Sequence, residues 1–453
     1  MIDAGQENAR MLAAILGIGE EEAAARLNRT VLVTVGADSV EQVWADEISA
    51  LLGFTVRATR NPAEELNAEL VIGSATPQTS APRLYAAIDA LGAMVATAPV
   101  RRAATSPHPF LAAIAACAVT AATVHRVVDD PALPQVRLPL TFEFNQLGIP
   151  PSALERTLDL KGAVLVGAGA VGHGFLRALR HLQARGTLPV IDPKRVGAGN
   201  FNRCTYLQPE DEGENKASAL AGRAQPDFPG LSLVPQVEEF RAFCKREGPP
   251  PTAIVTVDSR RARRSIQSEL PGRVIDASTT DIRGVVVHSH RQPTQNACLS
   301  CIYRHVPEEN ARERSIAEGL GIEVERVKEG FISERAAAAI VAAHPKIEAR
   351  AIIGMAYDSL FKQLCAAQTL LTPDSRQVLA PFAFVSALAG ALLVIELLRS
   401  DAGVVGTNYW TVDPWGSPIS RRRVLRPRLK DCEFCSNPAV WPIAQQLWGR
   451  VAA

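Results

Sequence analysis

Apolar positions along this chain follow two rhythms. Short runs rich in β-branched residues end on glycine or a polar residue and read as buried strands. Longer stretches with apolar residues three and four apart read as helices. Residues 30–36 (Thr-Val-Leu-Val-Thr-Val-Gly) predict a strand feeding a turn, followed by a helix from about Val40 to Leu52 and a strand at Thr55 to Ala58. Leu70 to Ile72 predicts a third strand, stopped by Gly73, Ser74 and Pro77; a further helix and strand come next, then an Ala-rich helix from about Phe110 to Val128. Residues 129–155, with several prolines and an amphiphilic strand at Arg137 to Phe144, read as a connector. A βαβ alternation of this kind predicts a mostly parallel sheet.

The order then recurs. Ala163 to Gly167 predicts a strand ending in glycine, with a helix through Leu182, a strand at Pro189 to Asp192 and another at Ala253 to Asp258. The run from Pro381 to Leu398 matches the run from His108 to Val124 in pattern. The expectation is an α/β fold of two related Rossmann-like units, residues 1–150 and 151–453. Phe382 to Leu398 is the longest apolar run, but it is short for a membrane span and contains Glu396, so it reads as a buried core helix.

Composition narrows the class. A chain of 453 residues exceeds one ordinary core, and 47% hydrophobic with 21% charged residues is globular rather than disordered. A net charge of +1 provides no global field for nucleic acid or an anionic membrane. The first 27 residues carry early acidic groups and no cleavage pattern, which argues against a signal peptide. Four of the eight cysteines form two CxxC pairs rather than a disulfide framework, the habit of a reducing compartment, so the expected location is the cytoplasm.

Candidate chemistry concentrates in the second unit. Gly167-Ala-Gly169-Ala-Val-Gly172 lies between a predicted strand and helix. There the first glycine allows the turn, the second lets backbone approach a phosphate, and the third lets the helix pack on the strand. The helix N-terminus offers N–H groups to an anion. Asp192 ends the next strand, where a carboxylate can hold ribose hydroxyls. These residues alone suit an adenine nucleotide and leave a nicotinamide-dependent oxidoreductase open. Asn200-Phe-Asn202-Arg203, Asp211-Glu-Gly213-Glu-Asn-Lys216 and Asp258-Ser-Arg-Arg-Ala-Arg263 then follow in that order. Hydride transfer has no need of such a cluster. Nucleotidyl transfer does, because Arg and Lys neutralise charge building on phosphates and an Asp can hold Mg²⁺.

In this pattern the chain resembles the ubiquitin-activating, ThiF and MoeB adenylyltransferase superfamily, with Phe201 in place of the usual Leu. The resemblance covers about 156–300 and resumes at Ala380 to Arg399. It implies ATP and Mg²⁺ held by Gly167, Gly169, Gly172, Asp192, Asn200, Arg203, Lys216 and Asp258, with Arg263 in support. Arg203, Lys216 and Asp258 would be catalytic. The first unit lacks this set. It keeps one glycine of the loop, places Asp38 where a phosphate would come, and looks like the inactive partner unit of such enzymes. Arg101 and Arg102 could reach across to the nucleotide, although surface charge is the plainer reading.

Cys298-Leu-Ser-Cys301 and Cys432-Glu-Phe-Cys435 each present two thiolates a turn apart, and four thiolates suit Zn²⁺. The metal would clamp the C-terminal tail to the body, as is common in the family. Between the pairs, about 302–378 reads as a helical crossover insertion, with Ala336 to Ala343 and Ala351 to Leu371 as helical stretches. Its one cysteine, Cys365, is the candidate thioester nucleophile, with Cys204 as the alternative. The resemblance implies a partner with a free C-terminus, a small ubiquitin-like protein or, alternatively, a sulfur carrier or peptide. A conjugating enzyme would act downstream, and a homodimer is compatible with it. A catalytically dead scaffold would not need the Arg203, Lys216 and Asp258 set.

Overall fold

The computed structural model describes residues 4–103, 105–280, 282–304, 307–329, 332–355, 357–366, 382–404, 406–417 and 423–449. The first sheet contains β1 (Thr30–Val35), β2 (Arg57–Thr59), β3 (Ala68–Ile72), β4 (Arg83–Ile88), β5 (Gly92–Ala96) and β6 (Leu140–Glu143). Their spatial order is β2-β1-β3-β4-β5-β6, parallel as far as β4 and antiparallel beyond it. The second sheet contains β7 (Leu158–Asp159), β8 (Ala163–Val166), β9 (Ala184–Ile191), β10 (Leu231–Gln236), β11 (Thr252–Val255), β12 (Arg273–Thr280), β13 (Gly284–Arg291) and β14 (Tyr409–Val412). Its order is β10-β9-β8-β11-β12-β13-β14, with β7 beside β9.

With β7 and β10 set aside, the two sheets have the same order and the same strand directions. β8 corresponds to β1, β9 to β2, β11 to β3, β12 to β4, β13 to β5 and β14 to β6. The long helices match as well: Pro109–Val128 lies between β5 and β6, and Ala383–Asp401 between β13 and β14. The fold is thus α/β, two Rossmann-like units with mostly parallel sheets. The central strands β3, β8 and β11 are buried at every residue, as parallel strands covered on both faces must be, and that is why they read as unbroken apolar runs.

Pro109–Val128 and Ala383–Asp401 are long and apolar enough to cross a membrane, but 83% and 94% of their apolar windows are buried inside the protein. Both are core helices. Ala383–Asp401 crosses Ala170–Leu179 so closely that a Cβ on Gly390 would lie 2.1 Å from the Gly174 backbone. Only glycine permits that approach. The two units are joined through these helices and through Glu47 of the Ser39–Leu52 helix, whose carboxylate takes Arg177 and Arg180, each at 2.8 Å.

Three expectations need correction. Between Pro77 and Phe110 the described residues hold two strands, β4 and β5, and no helix. The strand expected at Arg137–Phe144 is present as β6, but it does not belong to a connector, because it closes the first sheet as its outer strand. The helix expected over Ala351–Leu371 is interrupted. Gly354 takes φ +81°, which ends the Ala349–Ile352 turn before Tyr357–Ala366 begins; residues 367–381 lie outside the described ones. The insertion has its own small core around Ile316, Leu320, Ile340, Tyr357 and Phe361.

Candidate nucleotide site and cysteine cluster

The glycine loop follows β8 directly. Gly167 takes φ +107°, and a Cβ there would sit 2.9–3.0 Å from Thr256 and Val257. A Cβ on Gly172 would lie 2.4 Å from the Gly167 carbonyl oxygen, so this position fixes the helix against the turn. Gly169 differs from both: a Cβ there would meet nothing within 4 Å. Two glycines are demanded by packing, and the middle one faces open space at the N-terminus of the Ala170–Leu179 helix, where an anion would be received.

That space belongs to a cavity of about 1020 Å³ lined by Gly167, Gly169, Asp192, Asn200, Arg203, Lys216 and Asp258. Asp192 directly follows β9, with its carboxylate accepting from the backbone N–H of Ala168 and of Lys194, both at 2.8 Å. The acid is thereby tied to the glycine loop itself. Asn200 accepts from Gly197 N–H at 3.0 Å. Arg203 donates to the Gly199 carbonyl and to Asn202 Oδ1, each at 2.7 Å. Lys216 opens the Lys216–Ala224 helix, and its N–H donates to the Lys194 carbonyl at 2.8 Å. Burial lowers the pKa of Lys216; Asp192 opposes this and Lys194 adds to it. Asp258 follows β11 with its side chain about half exposed to the cavity and 3.2 Å from Lys194 Nζ. A half-exposed carboxylate at this place in the cavity fits the way Mg²⁺ is usually held, by one or two carboxylates plus substrate oxygens.

Arg263 has a different setting from the other basic residues. It is 2% exposed, donates to Asp276 at 2.7 Å and to the Ala277 carbonyl at 2.9 Å, and lies over the Tyr303 ring. It braces the cavity wall from inside the core. Arg102 pairs with Asp89 and Glu143 within the first unit, so it makes no reach across to the nucleotide.

What crosses instead is the Ala4–Leu16 helix, which sequence reasoning saw only as an apolar helical period. It brings Glu7 to the cavity wall, and Asn8 Oδ1 accepts from Asn202 Nδ2 at 2.9 Å. Burial raises the pKa of Glu7, while Arg203 and Arg10 partly offset the rise. Two further acidic and basic neighbours were also missed. Lys194 is two residues past the ribose acid, a position that could have flagged it. Glu239 lines the cavity under Gly354 of the insertion; burial, then Asp192, pushes its carboxyl up to about 8. Ile347, Ala351, Ile352, Met355, Leu360 and Leu364 of the insertion provide an apolar wall.

Cys204 is 1% exposed, and burial raises its thiol pKa, the reverse of what a nucleophile needs. Residue 365 is part of the Tyr357–Ala366 helix, but the Cys365 side chain lies outside the described ones.

The CxxC pairs come together. Cys298, Cys301, Cys432 and Cys435 place their sulfurs within 4.8 Å of one another. Cys298–Cys432 is 3.6 Å, Cys301–Cys435 3.4 Å and Cys298–Cys301 3.8 Å. Four sulfurs at about 2.3 Å from a tetrahedral ion stand about 3.8 Å apart, whereas a disulfide needs about 2.05 Å. The cluster fits a metal and does not fit two disulfides.

A glycine loop, an acid after the next strand, a basic cluster and a half-exposed Asp gathered at one cavity of a doubly wound unit suit a nucleotide. The ThiF family model matches residues 146–434, and a model of the E1 N-terminal domain matches residues 1–150. The chain belongs to the ThiF family and is an ATP-using adenylyltransferase. It is similar to the uncharacterized protein y4jF of Sinorhizobium fredii, 27% identical over 360 residues, covering 74% of this chain and 68% of that one. Among solved structures it is similar to E. coli MccB with succinimide (15% identity, 63% of this chain and 68% of that one, TM-score 0.37). It is likewise similar to E. coli MccB with ATP (13%, 63% and 67%, 0.38).

Proposed function

We propose that this enzyme adenylates the C-terminal carboxylate of a small ubiquitin-like protein. Residues 1–150 would serve as the inactive partner and 151–453 as the catalytic unit. One observation carries the reading: the phosphate, ribose and metal candidates face a single cavity that continues under the apolar wall of the insertion. At about 1020 Å³ it lies at the upper end of the roughly 300–1,000 Å³ of ordinary small-molecule sites, ample for a nucleotide. A sulfur carrier or a peptide would fit the same chemistry. E. coli MccB has been solved together with AMPCPP and MccA.

In the reaction the partner's carboxylate oxygen bonds to the α-phosphorus as the bond to the pyrophosphate oxygen breaks. No proton is transferred. Arg203 and Lys216 neutralise phosphate charge, and Asp192 orients the ribose, so the rate comes from positioning and electrostatics. Mg²⁺, held by Asp258, would supply further charge neutralisation. The test is ATP–pyrophosphate exchange dependent on a partner with a free C-terminus, with partner candidates drawn from small proteins encoded nearby. Exchange that is absent with every ubiquitin-like, sulfur-carrier and peptide candidate overturns the reading, as does nicotinamide reduction in its place. A subsequent thioester would fall to Cys365, and a reducible adduct lost in Cys365→Ala tests that step.

The four cysteines would hold Zn²⁺, in keeping with a reducing cytoplasm. Elemental analysis should give about one zinc per chain on the Cys₄ stoichiometry. Chelation should lower the melting temperature, because metal-binding energy is folding energy. A metal-free protein that melts unchanged removes the idea.

A further inference from the structure

The cavity holds one charged pair that the adenylation residues do not account for. Lys194 Nζ lies 3.2 Å from Asp258 Oδ1, and the lysine is the more buried partner, its side chain 17% exposed against 54% for the aspartate. The Lys194 backbone is fixed on both sides: its N–H donates to Asp192 Oδ1 and its carbonyl accepts from Lys216 N–H, each at 2.8 Å. The side chain is the part left to move. Both lysines therefore start from hydrogen-bonded backbone at the phosphate end of the cavity, and both line it together with Gly167 and Gly169.

We propose that Lys194 is a second phosphate-binding lysine, which exchanges its ion pair with Asp258 for a nucleotide phosphate when a divalent cation occupies that carboxylate. The inference rests on the reading of the cavity as an ATP site. Its logic is electrostatic. A cation at Asp258 removes the partner of an ammonium that is mostly buried, and a buried charge without a partner is costly. An ammonium on a flexible stem can turn to the nearest anion, and a phosphate received at the glycine loop would be that anion. Burial alone would discharge Lys194, but Asp258 and then Asp192 hold its pKa above the usual lysine range, with Asp358 adding to them. The group is therefore charged and available.

The experiment is calorimetric ATP binding to the full chain, with Mg²⁺ and in EDTA, for wild type, Lys194→Met, Asp258→Asn and the double variant; thermal melts check folding. Lys194→Met should bind ATP with Mg²⁺ about tenfold more weakly or worse, and Mg²⁺ should half-saturate at lower concentration, because Asp258 has lost its competitor. In EDTA, Asp258→Asn should bind ATP several-fold more tightly than wild type, since its lysine is released. The double variant should lose that gain. Lys194→Met affinity within about twofold of wild type overturns the proposal and leaves Lys194 a counter-ion only. A gain that survives in the double variant overturns it too. If Lys194→Met does not fold, Asp258→Asn and Lys194→Arg decide: no tightening in EDTA sinks the idea. A wild type that binds no ATP at all overturns the nucleotide reading itself.

Discussion

The two units carry the same strand–turn–helix crevice with opposite contents. In the second, the loop after β8 opens on a cavity, Gly169 faces empty space, and no side chain among the described residues caps the helix that follows. In the first, the turn after β1 leads to Asp38, whose carboxylate accepts from Val40 N–H at 2.9 Å and Glu41 N–H at 3.0 Å. The Glu41 carboxylate then bonds Ser74 N–H at 3.2 Å and packs so tightly on Gly73 that a Cβ there would overlap it. The crevice in the first unit is filled by the protein's own anions.

Buried carboxylates tell the same story. Glu69 in the first unit takes Gln78 N–H, Thr34 Oγ1, Thr79 and Arg83; burial would raise its pKa, yet these bonds bring it below the usual range. Glu239 in the second has a cavity before it and a raised pKa. The lesson is that losing a site takes two or three acidic residues near a helix N-terminus, because an intramolecular carboxylate competes at very high effective concentration.

The largest test of this contrast is Asp258→Ala. It should lower pyrophosphate exchange by about 10³-fold or more, several kcal/mol of transition-state stabilisation, with the fold intact; near wild-type exchange would misplace the active unit. Gly169→Ala should weaken ATP binding about tenfold or more while the fold is unaffected. Gly172→Ala should instead destabilise the protein by about 1–3 kcal/mol, as overpacking does. If both variants lose stability equally, Gly169 does not face a ligand.

Glu239 provides a pH test. Its folded pKa is raised from 4.5 to about 8, so the folded protein keeps a proton that the unfolded chain gives up. Its contribution should therefore make stability fall as pH rises from about 4.5 to about 8, by a few kcal/mol at most at about 1.4 kcal/mol per unit. Glu239→Gln should flatten that slope in denaturant melts taken across the window. The smallest effect belongs to the first unit: Asp38→Ala should cost about 1 kcal/mol of stability as a lost helix cap, and exchange activity should not change. An activity loss there would mean that the filled crevice still acts.

Some of this was legible in the residues because local physics wrote it there. Strands buried on both faces appear as unbroken apolar runs, a glycine turn must precede a helix that receives phosphate, and paired CxxC spacing suits a metal. These gave the α/β class, the loop at Gly167, the Asp192 strand end and the cysteine pairs. Short strands were harder: β4 and β5 are decided by pairing with neighbours, since a five- to six-residue run has no strong periodicity of its own. The insertion helix broke at Gly354 because a positive φ interrupts an apolar period without altering it.

Tertiary structure alone decided which charges matter. Glu239 and Glu7 are unremarkable in sequence, Lys194 is marked there only by its nearness to Asp192, and Arg263 is expected there only in support. Burial and partners assign them: Arg263 is spent on Asp276 inside the core, while Glu7 arrives at the cavity from the far end of the chain. Desolvation and Coulomb interaction depend on distances across the fold, and sequence spacing carries no record of either.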